Sequence, residues 1–476
     1  MALPRLATDE QLRRILDAAL QTLETVGFLF QDDDLRARVV EAGGTGGPQG
    51  QVFLPRRLVE EVLTPRRAEP EGVPPPGGGR SDGRHAGIGC QIAQFYLDPQ
   101  TGERLPASRA LLAEVVRFGH VWQPGQGIGP ALLCRDVPPP VEPLEGVLTI
   151  ARHTDRVGDG YVHFVEQVPY LAELGRILRD DARALLGMCV FMVTPLRMDV
   201  RACRLLTKLV EMGVPPWLGT QPAAGVSAPV TVPGTVVLAA AEILAGWAAA
   251  FTVDPQARPG AGICSGVLDM KTANVSYCAP EAMLQDLLCV ELFRELCGGR
   301  VHVAGGAGYT DAKAPGTQKG FELAFEALAT HAYTGHGPWA GSGLLESGKT
   351  FSPVQFVLDD ELGRYLGWFA GGVDFGGEAL ALDSILGVGL GLGRSHLSTD
   401  HTLAHWRSLY EPRLLDRACL REGEEPGQAE QRLLAAAVER FREVRAAYEP
   451  ASVPEEQLAA AERVLQDAYR ELCGAA

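Results

Sequence analysis

Four polar residues follow a run of small apolar residues late in the chain. In the stretch WAGSGLLESGKTFS, which spans 339–352, Glu346, Ser347, Lys349 and Thr350 come after a segment typical of a buried strand. In barrels and other α/β folds, the loop at the carboxyl end of a strand carries residues that bind and react. This stretch therefore predicts a functional loop that the strand before it holds in place.

The composition predicts a large protein without nucleic-acid or membrane partners. The 476 residues are 46% hydrophobic, enough for one large α/β domain with extensions or for two to three smaller domains. A net charge of −16 argues against binding to nucleic acid or to an anionic membrane. The segment 236–251 comes closest to a membrane span, but Glu242 interrupts it, and the N-terminus lacks the apolar core of a signal peptide. Because the ten cysteines are scattered through apolar runs, we expect free core thiols in a cytoplasmic protein.

Apolar strand candidates alternate with amphipathic helices from residue 108 onwards. Continuous apolar strands of this kind are typical of parallel strands buried on both faces, and about eight such units favour a barrel over an open sheet. No glycine-rich dinucleotide turn follows the first strand, which argues against a Rossmann fold. The predicted strands are 127–133, 160–166, 186–193, 215–221, 259–265, 300–306, 337–343 and 385–392. The predicted helices are 142–154, 169–179, 197–212, 235–251, 280–297, 319–333 and 357–370.

The predicted fold is α/β, a (β/α)8 TIM barrel with an N-terminal α/β extension and C-terminal helices. We place the extension at 1–107, the barrel at 108–420 and the helices at 421–476. Two amphipathic segments, 429–447 and 454–473, are expected to pack on the barrel or on a partner. These extra helices favour a homo-oligomer.

Five loops at predicted strand ends form an ordered set that resembles one enzyme family. Together they resemble the trimethylamine methyltransferase family, and more closely its members that lack pyrrolysine and act on quaternary amines, the glycine betaine methyltransferase type. The resemblance covers roughly 8–415 and includes the turn YLDPQTGERLPAS. The loops are GTQPAAGVSAPVTVPG (219–234), GVLDMKTANVSYCAPEA (266–282), GGAGYTDAKAPGTQKGFE (305–322), GSGLLESGKTFS (341–352) and STDHTLAHWRS (398–408).

The resemblance implies a (β/α)8 barrel that moves a methyl group from a methylated amine to the Co(I) of a separate corrinoid protein. It implies that the barrel holds no cobalamin permanently and that the partner docks over the carboxyl-terminal mouth of the barrel. Related enzymes for trimethylamine carry pyrrolysine, whereas the corresponding neighbourhood here, 343–348, contains ordinary residues throughout. The sequence leaves open which position replaces pyrrolysine and which onium compound is the substrate.

A quaternary ammonium substrate sets simple requirements for the site. The substrate is already cationic and its leaving group is a neutral tertiary amine, so the site needs no general acid and has to orient one N–CH3 bond and shelter the cation. The resemblance then implies three catalytic candidates, namely Asp311, Glu346 and Ser347. It implies seven substrate-binding candidates, namely Gln221, Tyr277, Tyr309, Lys313, His331, Trp339 and Phe351. Further candidates are Trp217, Asp269, Lys271 and His336.

Each of these residues also has a purely structural explanation. The aromatic residues can pack in the core, Asp311 can cap a helix, and Glu346 with Ser347 can cap the helix after them. His401 and His405 share a helix face, but no third ligand is evident, so we predict no metal site. The run GVGLGLGR (387–394) lacks the features of a phosphate loop and predicts a tight strand and turn. Two other functions stay open: a non-catalytic barrel that binds quaternary amines, and an unrelated barrel enzyme such as a metal-dependent lyase or hydrolase.

Overall fold

The chain folds into an α/β structure of fifteen helices and fifteen short strands among the residues that the structure describes. The computed structural model describes residues 3–67, 86–187, 189–298, 301–304, 308–420, 422–425 and 427–474. The helices are α1 (Asp9–Thr25), α2 (Asp33–Glu41), α3 (Arg56–Arg67), α4 (Arg109–Trp122), α5 (Glu142–Ala151), α6 (Val168–Arg179), α7 (Val200–Glu211), α8 (Val232–Val253), α9 (Pro280–Leu292), α10 (Thr317–Thr334), α11 (Pro353–Ala370), α12 (Leu382–Val388), α13 (Asp400–His405), α14 (Gly427–Ala446) and α15 (Glu455–Leu472).

The strands are short and fall into several small sheets. They are β1 (Leu29–Phe30), β2 (Thr45–Gly46), β3 (Val52–Phe53), β4 (Phe95–Leu97), β5 (Arg104–Pro106), β6 (Cys189–Phe191), β7 (Arg197–Met198), β8 (Trp217–Thr220), β9 (Ala223–Ala224), β10 (Gly260–Ile263), β11 (Gly266–Asp269), β12 (Asn274–Ser276), β13 (Val301–Val303), β14 (Leu344–Leu345) and β15 (Thr350–Phe351). The largest parallel sheet has the order β13-β10-β8-β6, with α7, α8 and α9 joining consecutive strands. This strand–helix alternation confirms the predicted α/β class.

Isolated parallel bridges extend the alternation towards the N-terminus. Ala93 pairs with Leu132, and Ile128 pairs with Val157, while α4 and α5 connect these extended segments. The alternation therefore begins near residue 93, before the helix that follows residue 108. Within the described ranges, no strand pairing joins the segment at Val157 to β6, or β13 to β14, so these residues show no closed ring of strands.

The predicted helices are confirmed, and four of the eight predicted strands are in place. Strands β6, β8, β10 and β13 lie inside four predicted segments, although 188, 300 and 305–306 fall outside the described residues. Three predictions were wrong. Segment 337–343 contains no strand, because β14 begins only at Leu344. Segment 160–166 enters a 3-10 turn before α6, and segment 385–392 lies in helix α12 and the turns after it. The apolar run GVGLGLGR resembles a buried strand by composition, yet its residues are mostly exposed.

Helix α8 explains the longest apolar stretch of the chain. By length and composition it could cross a membrane, but 72% of its most apolar window is buried inside the fold, as expected of a core helix. Glu242 lies at the centre of α8 with no exposed surface. Its carboxylate accepts hydrogen bonds from Leu196 N (2.8 Å) and Thr194 Oγ1 (2.9 Å), so an acidic residue here fastens the turn after β6.

A second sheet, β14-β15-β4-β5, lies next to the loop singled out in the sequence. Strands β14 and β15 form a hairpin, and β15 pairs in parallel with β4. Glu346, Ser347 and Gly348 in the hairpin turn all have positive φ angles, +51°, +54° and +82°. Helix α11 starts directly after β15, where Ser352 Oγ accepts from Gln355 N (3.2 Å). Ser352 caps this helix, so the alternative that Glu346 and Ser347 cap it was wrong.

Candidate functional site

Two tyrosines in the loops after β12 and β13 form an aromatic pair. Tyr277 follows β12, and Tyr309 follows β13, and their ring centroids are 5.6 Å apart at an interplanar angle of 39°. Burial raises the pKa of both hydroxyls, and the neighbouring Cys264 thiol acts in the same direction. Both phenols are therefore neutral at physiological pH and present uncharged aromatic faces.

The hairpin turn at 346–349 packs directly against Tyr309. A Cβ atom at Gly348 would lie 2.3 Å from Tyr309 Cε1, so only glycine allows this close approach. Ser347 N donates to Thr310 O (2.7 Å), and Glu346 N donates to Ala312 O (2.9 Å). The structure thus joins the loop at 308–312 to the hairpin turn, as the sequence predicted for two loops of one site. The loop's first residues, 305–307, lie outside the described residues.

The loops that carry the tyrosine pair also carry part of an acidic group. Ligand atoms of Cys278, Asp311 and Glu322 all lie within 4.8 Å of one another. Glu322 Oε2 accepts from Asp311 N (3.0 Å) and from the Thr310 hydroxyl, and Glu322 Oε1 accepts from Gln318 Nε2 (2.8 Å). Glu322, which the sequence analysis missed, therefore fixes the loop that carries Tyr309 and Asp311.

The Cys278 thiol stays protonated in these surroundings. Burial raises its pKa to about 12, the nearby Glu322 and Asp311 carboxylates add to the shift, and a hydrogen bond with Ser276 opposes it. A neutral thiol is a poor nucleophile, so covalent catalysis by Cys278 is disfavoured. In composition the group could take up a divalent cation, since thiolates and carboxylates both bind Zn²⁺. Glu322 already accepts three hydrogen bonds from its own loop and helix, and the absence of a metal stays a prediction.

Glu346 and Ser347 lie in the turn between β14 and β15, and the contacts of Glu346 hold this turn in place. Arg104 Nε donates to Glu346 Oε2 (2.6 Å), and Thr350 Oγ1 donates to the same oxygen (2.5 Å). This ion pair links β5 to the turn that packs on Tyr309. The geometry indicates that Glu346 positions the turn, while the catalytic roles predicted for Glu346 and Ser347 stay predictions.

Gln221 lies directly after β8, and Lys313 lies in the loop between β13 and α10. A hydrogen bond from Gln221 lowers the pKa of Cys264, although burial dominates and keeps that pKa well above its usual value. Lys313 is exposed, and its Nζ donates to the backbone oxygen of Asp311. Of the further candidates, Asp269 accepts from Lys271 N (2.9 Å) in an exposed turn after β11.

Four predicted residues lie apart from the tyrosine pair. His331 is at the end of α10, where its Nδ1 is 2.7 Å from His336 O. Trp339 packs on a small apolar cluster with Leu323. Phe351 has no exposed surface and stacks on Tyr96 with ring centroids 6.4 Å apart. Trp217 begins β8, at the opposite end of the strand from Gln221, with its ring centroid 4.7 Å from that of His302.

The comparison with known protein families decides the family. A profile of the family described as trimethylamine methyltransferase (MTTB) matches residues 2–468. The chain belongs to the MTTB family. The family resemblance inferred from the ordered loops is therefore confirmed over nearly the whole chain.

Relatives of this MTTB chain carry two kinds of name. The trimethylamine methyltransferase MttB of Desulfitobacterium hafniense (strain DSM 10664 / DCB-2) is 25% identical over 428 residues, which is 86% of this chain and 84% of that protein. The glycine betaine methyltransferase of D. hafniense (strain Y51) is also 25% identical over 428 residues, 86% of each. MttB of Methanosarcina barkeri is 29% identical over 289 residues, 60% of this chain and 56% of that protein.

Solved structures show a weaker likeness to the MTTB chain. The monomethylamine methyltransferase MtmB of M. barkeri matches at a TM-score of 0.47 and 12% identity, covering 93% of this chain and 88% of that one. The hydroxylamine complex of MtmB matches at 0.46 and 12% identity, covering 97% and 88%.

Behind the acidic group, this MTTB chain buries a charged network on helices α10 and α11. Lys319 and Glu326 of α10 and Asp359 of α11 have no exposed surface. Lys319 Nζ donates to Gly308 O (3.0 Å), which ties the network to the loop of Tyr309. Both carboxylate oxygens of Glu326 are buried without a hydrogen-bond partner. Burial raises the pKa of Glu326 well above its usual value, and Lys319 opposes that shift.

We expect Asp359→Asn to remove part of the pH dependence of stability. Burial raises the pKa of Asp359 to about 6 from the ordinary 3.8, with Lys319, Gln355 and Gly343 opposing the shift. The folded state therefore binds this proton more tightly, and stability is lost as the pH rises from about 4 to about 6. The difference in unfolding free energy, variant minus wild type, should increase by roughly 2 kcal/mol between pH 4 and pH 7.

Urea unfolding at several pH values checks this difference. The amide fits the site, because Gln355 Oε1 is buried without a partner and can accept from the new Nδ2 after the Gln355 amide rotates. Asp34→Asn, which removes an exposed carboxyl from the first turn of α2, serves as the matched control. A difference for Asp359→Asn that does not change with pH would contradict the expectation.

Proposed function

We propose that this chain transfers a methyl group from a quaternary amine of the glycine betaine type to the Co(I) of a separate corrinoid protein. Family membership supports methyl transfer, and a relative named glycine betaine methyltransferase matches 86% of the chain. The observation that carries the proposal is the neutral Tyr277–Tyr309 pair, whose two loops also carry Cys278 and Asp311 within 4.8 Å of the Glu322 carboxylate. Aromatic faces with nearby negative charge are what an onium cation prefers.

We further infer that the barrel is complete in the working protein. Extended segments near 93, 128–132 and 157, strands β6, β8, β10 and β13, and the segment ending in β14 make eight units. Helices α4 to α11 follow these segments one by one. Eight such units favour a (β/α)8 barrel, in which Tyr277, Tyr309 and Asp311 lie at the carboxyl-terminal mouth.

The reaction needs little chemistry from the protein. Cobalt in the partner's corrinoid supplies the electron pair that takes the methyl group, and the nitrogen keeps the electrons of the broken C–N bond. The products are a neutral tertiary amine and a methylated corrinoid, so no proton has to move in this step. The chain's task is to hold the trimethylammonium group with one methyl facing the mouth.

The individual residues have distinct proposed roles. Tyr277 and Tyr309 line the cation site, and Asp311 with Glu322 balances the positive charge. Gln221 and the exposed Lys313 are in place to meet the carboxylate of a betaine. Because 343–348 contains ordinary residues, with Gly348 packed against Tyr309, this proposal assigns no role to pyrrolysine. The ten cysteines are free, which supports a reducing compartment such as the cytoplasm.

A methyl-transfer assay with free cob(I)alamin tests the proposal. Purified protein is mixed with reduced cobalamin and, separately, with glycine betaine, carnitine, choline and trimethylamine. We expect demethylated product from at least one quaternary amine and none from trimethylamine, measured by mass spectrometry and by the cobalamin spectrum. No demethylation of any quaternary amine by folded protein would overturn the proposal.

Metal analysis separates the proposal from a metal-dependent alternative. That alternative has one specific observation in its favour, the Cys278–Asp311–Glu322 group. If purified protein holds stoichiometric zinc and loses methyl transfer when the zinc is chelated, the reaction is metal-assisted. We expect methyl transfer to survive chelation, because a quaternary ammonium releases its neutral tertiary amine without Lewis-acid help.

A further inference from the structure

The segment 371–409, here called the arm, contains no buried residue. It includes helices α12 and α13, and neither of them buries a side chain. Twelve large apolar side chains of the arm are exposed, and they include Phe375 (76% exposed), Leu390 (92%) and Leu397 (85%). Secondary structure without any core is unstable in water, because its apolar residues gain nothing from folding. The arm therefore needs a covering surface.

Both ends of the arm are fixed to the same part of the fold. Trp368 Nε1 donates to Ser408 O (3.3 Å), and the rings of Tyr365 and Tyr410 are 5.3 Å apart. Tyr410 OH donates to Glu361 Oε1 (3.0 Å). The arm thus leaves α11 at its end and returns to it, as a projection with a firm base.

Within the arm, the described contacts are local. Ser384 Oγ of α12 is 3.1 Å from His396 Nδ1, and Thr399 Oγ1 accepts from Thr402 N (3.3 Å) to cap α13. These contacts give the arm a defined shape while its apolar side chains point away from the chain. A defined apolar projection is typical of an interface element rather than of a linker.

We propose that the arm pairs with the arm of a second copy of this chain. Its twelve exposed apolar side chains offer roughly 1,500 Å² per copy, against about 800 Å² per partner in an ordinary protein interface. A twofold axis would cover both arms at once and bury about 3,000 Å² in total, the size of an obligate homodimer interface. Exposed Tyr365, Trp368 and Phe369 on α11 extend the same apolar surface.

The location favours a second copy over the corrinoid partner. Helix α11 starts at the hairpin beside the tyrosine pair and has 18 residues, so its far end lies ~27 Å from the mouth. A partner docked over the mouth would leave the arm uncovered. Only the exclusion of the corrinoid partner rests on the proposed function. The size of the exposed apolar surface does not depend on it.

Sedimentation and light scattering on the full chain test the pairing. We expect a dimer, or a multiple of a dimer, at micromolar concentration. Leu390→Asp combined with Leu392→Asp should raise the dissociation constant by at least about 100-fold, because each buried aspartate would lack a partner. The matched control is Val230→Asp with Met270→Asp, which places the same charges at exposed apolar residues outside the arm; it should leave the assembly intact.

Both variants change residues that are exposed in the single chain, so each should keep the wild-type far-ultraviolet circular dichroism. A monomeric wild type at 100 µM, or an arm variant that assembles like the wild type, would overturn the proposal. Assembly that appears only after a corrinoid protein is added would also overturn it. The mass readout does not depend on methyl transfer, so failure of the proposed reaction and failure of the pairing can be told apart.

Discussion

Replacing Lys319 by Met is expected to lower the free energy of unfolding by about 3–5 kcal/mol at pH 7.5, the usual cost of breaking a buried charge pair. Lys319 has no exposed surface and opposes the raised pKa of both Asp359 and Glu326. Without its charge, burial would raise the pKa of both carboxyl groups further. The loss should be smaller at pH 5, where these carboxyl groups bind protons more readily in the folded state.

Chemical denaturation at pH 5 and pH 7.5 measures this loss. Lys271→Met, which removes an exposed lysine, is the matched control and should change stability by less than about 0.5 kcal/mol. The double variant Lys319→Met with Asp359→Asn should recover part of the loss, because the buried carboxylate is gone too. Equal stabilities of Lys319→Met and wild type at both pH values would show that the network is not held by charge.

Removing both rings of the tyrosine pair should weaken binding of glycine betaine by about 10- to 100-fold, since each cation–π contact contributes about 0.5–2 kcal/mol. The variant is Tyr277→Ala with Tyr309→Ala. The two residues touch, so their contributions need not add. Titration calorimetry with glycine betaine gives the affinity.

The matched control keeps the rings and removes the hydroxyls. Tyr277→Phe with Tyr309→Phe should bind within about threefold of the wild type, because the aromatic face carries the attraction. If the phenylalanine variant loses as much affinity as the alanine variant, the hydroxyls bind the ligand and the cation site is wrongly assigned.

The sequence predicted the helices well because their signals are local. Helix α1 shows its apolar stripe and a capping box made by Thr8 and Gln11, and α7 starts at the capping residue Asp199. The loops that carry Tyr277, Tyr309 and Asp311 were also found, since they match the family in order. Helix caps and apolar stripes depend on neighbours within about one turn of the chain.

Helix α10 shows why the buried network could not be predicted. Its aromatic residues Phe321 (80% exposed) and Phe325 face outwards, whereas Lys319 and Glu326 are buried. This orientation reverses the usual amphipathic pattern, in which the charged residues form the solvated face. The spacing of Lys319, Glu322 and Glu326 by three and four residues placed them on one face, but nothing local shows which face lies inside.

One of the errors in strand prediction has a clear physical cause. The segment 385–392 has the apolar composition of a buried strand, yet it is exposed on the arm. An apolar segment indicates burial, but the sequence does not tell whether the covering surface belongs to the same chain or to another copy.

The most direct test of the cation site compares glycine betaine with 3,3-dimethylbutanoate in titration calorimetry. The two ligands share shape and carboxylate, but the second has a neutral carbon in place of the quaternary nitrogen. We expect glycine betaine to bind at least about 10-fold more tightly, because only it gains from the aromatic faces and from Asp311 and Glu322. Equal affinities, or tighter binding of 3,3-dimethylbutanoate, would contradict a site built for a quaternary ammonium.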